Sequence, residues 1–449
     1  MSSNLTLSAR ISLVKSPFCA PRCGTLPGAG SNRIGSCVAG VPNGSEGTLQ
    51  IGKFPLRHSE TAQRAMTDNP LMGTDLSNDV AAIHAVLERA RSGLVERQSL
   101  VEVLVLAAVA GEHVLVVGPP GTAKSQAVRG VAGELGGKYF EYLLGRFTEP
   151  NEVFGPIDLN KLRSGVVEVE TAGMLPDAEV AFLDEVFRGS TAILNTLLGI
   201  LNERLFRRGS TIKACPLRLC VGATNSLPDD VSLAAFADRF LLRVFVEPVP
   251  DANLEDLLAV GWSGPRHGSK PVGIEVIDRL HAASLACDME AVRPLIGAAV
   301  RQMRSAGITL TDRRIVRSQS LVAAAATLEG RSAATSADLW TLPLVVPTLD
   351  AQVLARSVLA DVMQPSHSDL LPFAAEEYSA GALARARRLT DSGRKLLEGA
   401  GEPIDHDTRL RMEATLREID AGFAPSDLTD ELAAVRGSLV SAVTASTSA

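Results

Sequence analysis

The first 70 residues carry no periodic apolar pattern. Ser, Gly and Pro interrupt each short apolar run, and no acidic residue appears before Glu46. Such a stretch buries little surface, which predicts disorder. From Asp75 the pattern turns helical: LSNDVAAIHAVLERARSGLVER places Val80, Ile83, Val86, Leu87 and Ala90 on one face. A second helix, SLVEVLVLAAVAG, ends at Gly111 as its C-cap. HVLVV then reads as a short buried strand, TAKSQAVRGVAGEL as a helix and KYFEYLL as another strand. VVEVET, VAFLDE, LRLCVGAT and FLLRVFV supply further strands. Strands alternating with helices predict an α/β fold with a mainly parallel sheet and ligand chemistry at the carboxyl ends of its strands.

After Pro248 the strands stop. Residues 251–365 read as amphipathic helices, among them IEVIDRLHAASLACDM and RRIVRSQSLVAAAATLEG. A polar break, MQPSHSD, precedes a last helical region from Ala374 to Ala445, whose halves are parted by GAGEPIDHD as in a helical hairpin. The expected organisation is an N-terminal segment over 1–70, a nucleotide-binding α/β domain over 71–250, a helical lid over 251–365 and a C-terminal helical region over 366–449. There is no internal repeat.

Charge and cysteine content narrow the setting. The chain has 449 residues and a net charge of −7, so it lacks the basic footprint of a nucleic-acid binder. Its most apolar run, Val101–Gly118, is broken by Glu102, Glu112 and His113, and a membrane span needs about 20 apolar residues. The six cysteines form no C-x-x-C pair and have no His at metal-ligand spacing, as expected of reduced thiols in the cytoplasm. The N-terminal segment has three readings: plain disorder, a transit peptide that would place the protein in the plastid stroma, or sequence upstream of a true start at Met66.

The chemistry is concentrated in a few motifs. GPPGTAKS comes directly after a strand and opens a helix, which aims backbone N–H groups and the positive helix end at an anion. Gly118, Pro119, Pro120, Gly121, Thr122, Ala123, Lys124, Ser125 and Gln126 are the candidate phosphate-binding residues; Lys124 reaches the terminal phosphates and Ser125 holds Mg²⁺. The usual pattern has glycine where Ala123 stands. The alanine matters only if its backbone must be left-handed, and a position already entering the helix need not be. AEVAFLDEVF ends a buried strand in two carboxylates, Asp184 for Mg²⁺ and Glu185 to polarise the attacking water. Asn225 ends a third strand beside that water. Arg239, at a helix–strand junction, is a candidate arginine finger for a neighbouring subunit, with a structural ion pair to Asp238 or another carboxylate as the alternative and Arg243 as the fallback. TLTDRRIV opens a helix capped by Thr311 or Asp312. Arg313 is its candidate nucleotide contact from the lid and Arg314 the alternative, since arginine in a first turn opposes the helix dipole unless an anion relieves it.

With these motifs in this order, the chain resembles the AAA+ ATPases. FTEPNEVFGP, GMLPDAEVAFLDE and ILNTLLGILNER resemble the MoxR group and, within it, the RavA-like (regulatory ATPase variant A) branch. Alanine before the lysine is ordinary in that group, and LVERQSL, with Arg97, resembles its motif just before the nucleotide site. The resemblance covers roughly residues 75–345. It implies a P-loop AAA+ core, ATP and Mg²⁺ as cofactors, a homo-oligomeric ring with six subunits, and insertions such as LNKLRSGVVEVETAGM on one ring face. It also implies chaperone-like remodelling of client proteins, with a partner carrying a von Willebrand factor A domain. RavA-like chains have a β-rich domain beyond the lid, whereas only helices are expected here after Pro365. Two rival functions keep the fold: a magnesium-chelatase-like motor subunit, and a nucleotide-gated scaffold with little hydrolysis.

Overall fold

The computed structural model describes residues 72–447, except 210, 229, 264–269, 365, 381, 402–403 and 425–427. The expected disordered or targeting segment lies outside the described residues. Helix α1 (Met72–Arg91) turns Ile83, Val86, Leu87 and Ala90 inward, the face expected from their spacing. Helix α2 (Gln98–Ala110) is buried from Leu100 to its end and stops at Gly111 (φ 69°), whose N–H returns to the carbonyls of Ala107 and Ala108. Then come β1 (Val114–Val117), α3 (Lys124–Leu135), β2 (Tyr139–Leu143), α4 (Pro150–Phe154), α5 (Leu159–Arg163), β3 (Val180–Asp184) and α6 (Thr191–Glu203). β4 (Leu205–Arg208), β5 (Thr211–Ala214), β6 (Leu219–Thr224), α7 (Val231–Ala237) and β7 (Leu242–Phe245) complete this part of the chain.

Five strands form one parallel sheet in the order β2-β3-β6-β1-β7. Alternate side chains go to opposite faces. Val114, Val116, Val180, Phe182, Val221 and Val244 join one core with α1, α2 and α3, whereas Leu115, Val117, Ala181, Leu183 and Cys220 join another with α4 and α6. Covering both faces is what lets short parallel strands be apolar throughout. VVEVET is not a strand. Among the described residues it gives only an isolated bridge, Val169 to Ile157, and the Val166 and Val167 side chains are exposed. The antiparallel pair β4–β5 was not anticipated; it turns at Gly209 (φ 59°) and buries Phe206 against Phe154.

Next in the chain are helices α8 (Leu254–Ser263), α9 (Glu275–Leu285), α10 (Arg293–Ser305), α11 (Asp312–Leu328), α12 (Leu349–Val358), α13 (Ala360–Met363) and α14 (Pro372–Ala380). Thr311 is the N-cap of α11, its hydroxyl accepting from Arg314 N–H. Beyond them α15 (Ala382–Gly399), α16 (His406–Gly422) and α17 (Asp430–Thr447) share a separate small core around Leu389, Met412 and Leu432. Among the described residues this small core is therefore built from three helices, not the two of a hairpin. Among the described residues no helix is long and apolar enough to cross a membrane.

One buried carboxyl ties α14 to α2. Glu102 accepts from Ala374 N–H (2.6 Å), Phe373 N–H (3.4 Å) and the Arg91 guanidinium (2.6 Å). Arg91 also donates to Leu370 O and lies over the Phe373 ring. Burial outweighs these donors and pushes the Glu102 carboxyl up to about 8. A carboxyl raised on folding binds its proton more tightly in the native state, so its contribution is complete below the ordinary carboxylate range and is lost as pH rises through about 8. Thermal midpoints measured from pH 5 to 9 are expected to fall in the wild type and to fall less steeply in Glu102→Gln, whose amide cannot ionise.

Candidate functional site

Because the strands are parallel and in register, their carboxyl ends share one edge. Val117 lies opposite Thr224, and Leu183 opposite Gly222. The loop after β1, the Asp184–Glu185 pair after β3 and Asn225 after β6 therefore emerge together. Gly118 N–H donates to Thr224 O (3.0 Å), and a Cβ at Gly118 would stand 2.3 Å from Val246 O, so only glycine lets the chain leave the sheet here.

Ala123 is left-handed, with φ 59° and ψ 22°, and serves as the N-cap of α3. This corrects the expectation that the position need not be. The alanine costs about 1–2 kcal/mol relative to an allowed right-handed residue. The loop is closed by Thr122 Oγ1 donating to Pro119 O (2.9 Å), and by Lys124 Nζ donating to Gly118 O (2.9 Å) and Pro119 O (2.8 Å). Burial pulls the Lys124 ammonium below its usual range, while Asp184 and Glu185 pull it back up. Ser125 is half-buried and Gln126 exposed at the start of α3.

Glu185 is also left-handed (φ 50°). Its N–H donates to Asp184 Oδ1 (2.9 Å), its Oε1 accepts from Asn225 Nδ2 (2.8 Å), and its Oε2 faces Arg188 Nε at 3.4 Å. Asn225 thus holds the carboxylate itself. A cavity of about 460 Å³ adjoins the loop, walled by Leu94, Val95, Pro248, Val249, Leu257 and Val260 and floored by Pro119–Ala123. Sequence reasoning missed these walls, because each is an ordinary apolar residue whose role comes from what it faces. Arg97 lies against the same loop, donating to Thr122 O (2.9 Å) and Glu247 O (2.7 Å).

The candidate arginines lie elsewhere. Arg239 precedes β7 at the amino edge, a strand length of roughly 13 Å from the carboxyl edge. It does not take Asp238, which pairs with Arg314 at 2.6 Å, and its Nε is buried without a hydrogen-bond partner. Burial lowers the Arg239 guanidinium most; Arg313 and Arg317 lower it further, and Asp238 raises it. Arg313, the expected nucleotide contact from the lid, stands close to Arg239. Arg314 is a structural clamp, 2% exposed. Besides Asp238, it donates to the carbonyls of Phe240 (3.0 Å), Leu241 (2.9 Å) and Val345 (2.6 Å), so it is not a free nucleotide contact. Arg243 is sealed in the interior with its Nη2 on Ala237 O, and cannot reach a neighbour as the fallback finger.

The MoxR domain of the MoxR-vWA-beta-propeller ternary systems matches residues 81–281. Two uncharacterized proteins of Methanocaldococcus jannaschii are 35% and 32% identical, over 57% and 64% of this chain and 69% and 76% of theirs. Chaperone MoxR1 of Mycobacterium tuberculosis is 25% identical over 51% of this chain and 60% of its own. The crystal structure of a proposed ATPase from Cytophaga hutchinsonii superposes with a TM-score of 0.54 at 15% identity, over 66% of this chain and 97% of that one, a likeness of fold.

Strain at Ala123 is directly measurable. Glycine adopts φ 59° freely but loses more chain entropy on folding, so Ala123→Gly is expected to stabilise the protein by up to about 1 kcal/mol in urea unfolding. Ala123→Val, β-branched in the same conformation, is expected to destabilise it.

Proposed function

For a chain that belongs to the MoxR-like AAA+ ATPase family, we propose Mg²⁺-dependent hydrolysis of ATP in a hexameric ring, used to remodel partner proteins. One observation carries this reading: the parallel register delivers Gly118–Ser125, Asp184–Glu185 and Asn225 to one edge, and Arg239 to the other. The loop N–H groups and the positive end of α3 bind the phosphates. Lys124 exchanges its two carbonyl partners for phosphate oxygens. Ser125 and Asp184 are hard oxygen donors of the kind Mg²⁺ prefers, and Asp184 Oδ1 is already turned onto Glu185 N–H. The ion, when bound, offsets phosphate charge. Glu185 orients the attacking water and takes up its proton, with Asn225 holding the carboxylate in line. The apolar cavity beside the loop suits a purine base.

Arg239 and Arg313 have no place at their own site, and both are assigned to the neighbour's. A guanidinium with an unpartnered Nε among like charges is relieved by an incoming phosphate. Within the family, FTEPNEVFGP, GMLPDAEVAFLDE and ILNTLLGILNER favour the RavA-like branch, while the matched domain is described from ternary systems with vWA and β-propeller components. A vWA-domain partner is common to both readings. Chaperone-like work is supported by the name of the mycobacterial relative.

Glu185→Gln is expected to bind ATP and to lose at least about a hundredfold in turnover in a phosphate-release assay; wild-type turnover would refute the assignment. Arg239→Ala is expected to bind ATP normally and to lose about 10³-fold or more in turnover. Mixing it with Lys124→Ala subunits places some intact loops opposite intact Arg239 residues, so two inactive proteins should recover part of the activity. No recovery in verified mixed rings would exclude action between subunits.

A further inference from the structure

A strained alanine in a binding loop needs something to hold it, and Arg97 is placed to do so. The residue is 6% exposed and precedes α2. Its guanidinium donates to three backbone carbonyls: Glu96 O beside it, Thr122 O in the loop and Glu247 O where the chain leaves β7. It therefore joins the turn before α2, the loop and the sheet edge at one point.

The bond to Thr122 O fixes the peptide plane on the amino side of Ala123. A trans peptide then sends the Ala123 N–H in the opposite direction. On the carboxyl side, Ala123 O accepts the first bond of α3, from Ala127 N–H (3.0 Å). With both flanking planes fixed, φ and ψ of Ala123 have no freedom, and the chain is held left-handed whatever the side chain prefers. Without the bond to Thr122 O, the Thr122–Ala123 plane could rotate and the alanine would relax towards the right-handed region, which takes its N–H out of the loop's present arrangement.

We infer that Arg97 is a positioning residue that clamps the loop in the conformation glycine would otherwise supply. The inference rests on the reading of Gly118–Ser125 as a phosphate-binding loop only for its consequence on ATP affinity; the clamp itself is a statement about the folded chain. Charge alone does not account for the arrangement, because lysine would keep the charge and lose the fork that spans Thr122 O and Glu247 O.

The test is a double-mutant cycle of Arg97→Gln and Ala123→Gly, read by unfolding without nucleotide and by MgATP titration. The two readouts should move oppositely. In unfolding, Ala123→Gly should raise the folded-to-unfolded ratio by up to about fivefold while Arg97 is present. In the Arg97→Gln background that gain should vanish, because the alanine has already relaxed. In titration, Arg97→Gln should weaken MgATP binding at least tenfold, and the double variant should recover most of the loss, since glycine reaches the left-handed conformation unaided.

An unchanged gain from Ala123→Gly in the Arg97→Gln background would overturn the clamp, and so would an affinity loss that glycine does not rescue. If the wild type binds no nucleoside triphosphate, the proposed function fails and the unfolding cycle alone decides this inference. If Arg97→Gln does not fold, Arg97→Lys takes its place in both arms, with the same expected and overturning results.

Discussion

The parallel register of the five-stranded sheet is the constraint on which everything else depends. Parallel strands all run the same way, so the segments leaving β1, β3 and β6 collect at one edge and the segment entering β7 lies at the other. Helices cover both faces because each crossover must return the chain to the amino edge. The site is thus a property of strand order. No residue at its centre lies near another in the chain except within its own motif, and the distances that matter are set by ladder hydrogen bonds between β1, β6 and β3.

Arginine does most of the joining around this frame. Arg314 brings a helix from beyond the sheet onto the backbone of Phe240 and Leu241, Arg91 ties α1 to the start of α14, and Arg97 ties the loop to the exit of β7. In each case a buried or half-buried guanidinium satisfies backbone carbonyls, which several donors on one planar group do well. Burial lowers Arg97 and Arg314 from their usual range, yet an arginine so bonded remains a fixed cation. Arg239 is the contrast. It belongs to the same neighbourhood as Arg314, but Asp238 pairs with the clamp and Arg239 Nε is left without a hydrogen-bond partner.

Backbone strain is concentrated around the candidate site. Among the described residues the non-glycine positions with positive φ are Glu96, Ala123, Glu185 and Arg204, and the first three surround the cavity edge or the carboxyl edge of the sheet. Each is held by bonds to other elements: Glu96 by Asn253, Ala123 through Thr122 O, Glu185 by Asn225 and Arg188. A residue in a sparsely populated conformation persists only where its surroundings over-determine it. Here the surroundings come from several separate segments, so the shape of the site and the integrity of the fold are coupled.

The alternation of apolar strands and amphipathic helices, the strand endings at Gly118, Asp184 and Asn225, and the C-cap at Gly111 were legible in the sequence, because each rests on local periodicity or on one residue's backbone preference. Local pattern also misled: VVEVET alternates like a strand but forms only an isolated bridge at Val169 among the described residues, while the pair β4–β5 turns on Gly209 within a charged run that hides its alternation. The fates of Arg313, Arg314 and Arg243 were not legible, since adjacent arginines in one helical turn point to different surroundings and only packing decides which is buried. Nor was the left-handed backbone of Ala123, because alanine does not ask for it. The sequence by itself determined the alternating strands and helices of the parallel sheet and the motifs that end those strands. Tertiary structure decided which of those ends meet, which arginine clamps and which stays unpartnered, because those outcomes depend on contacts between residues far apart in the chain.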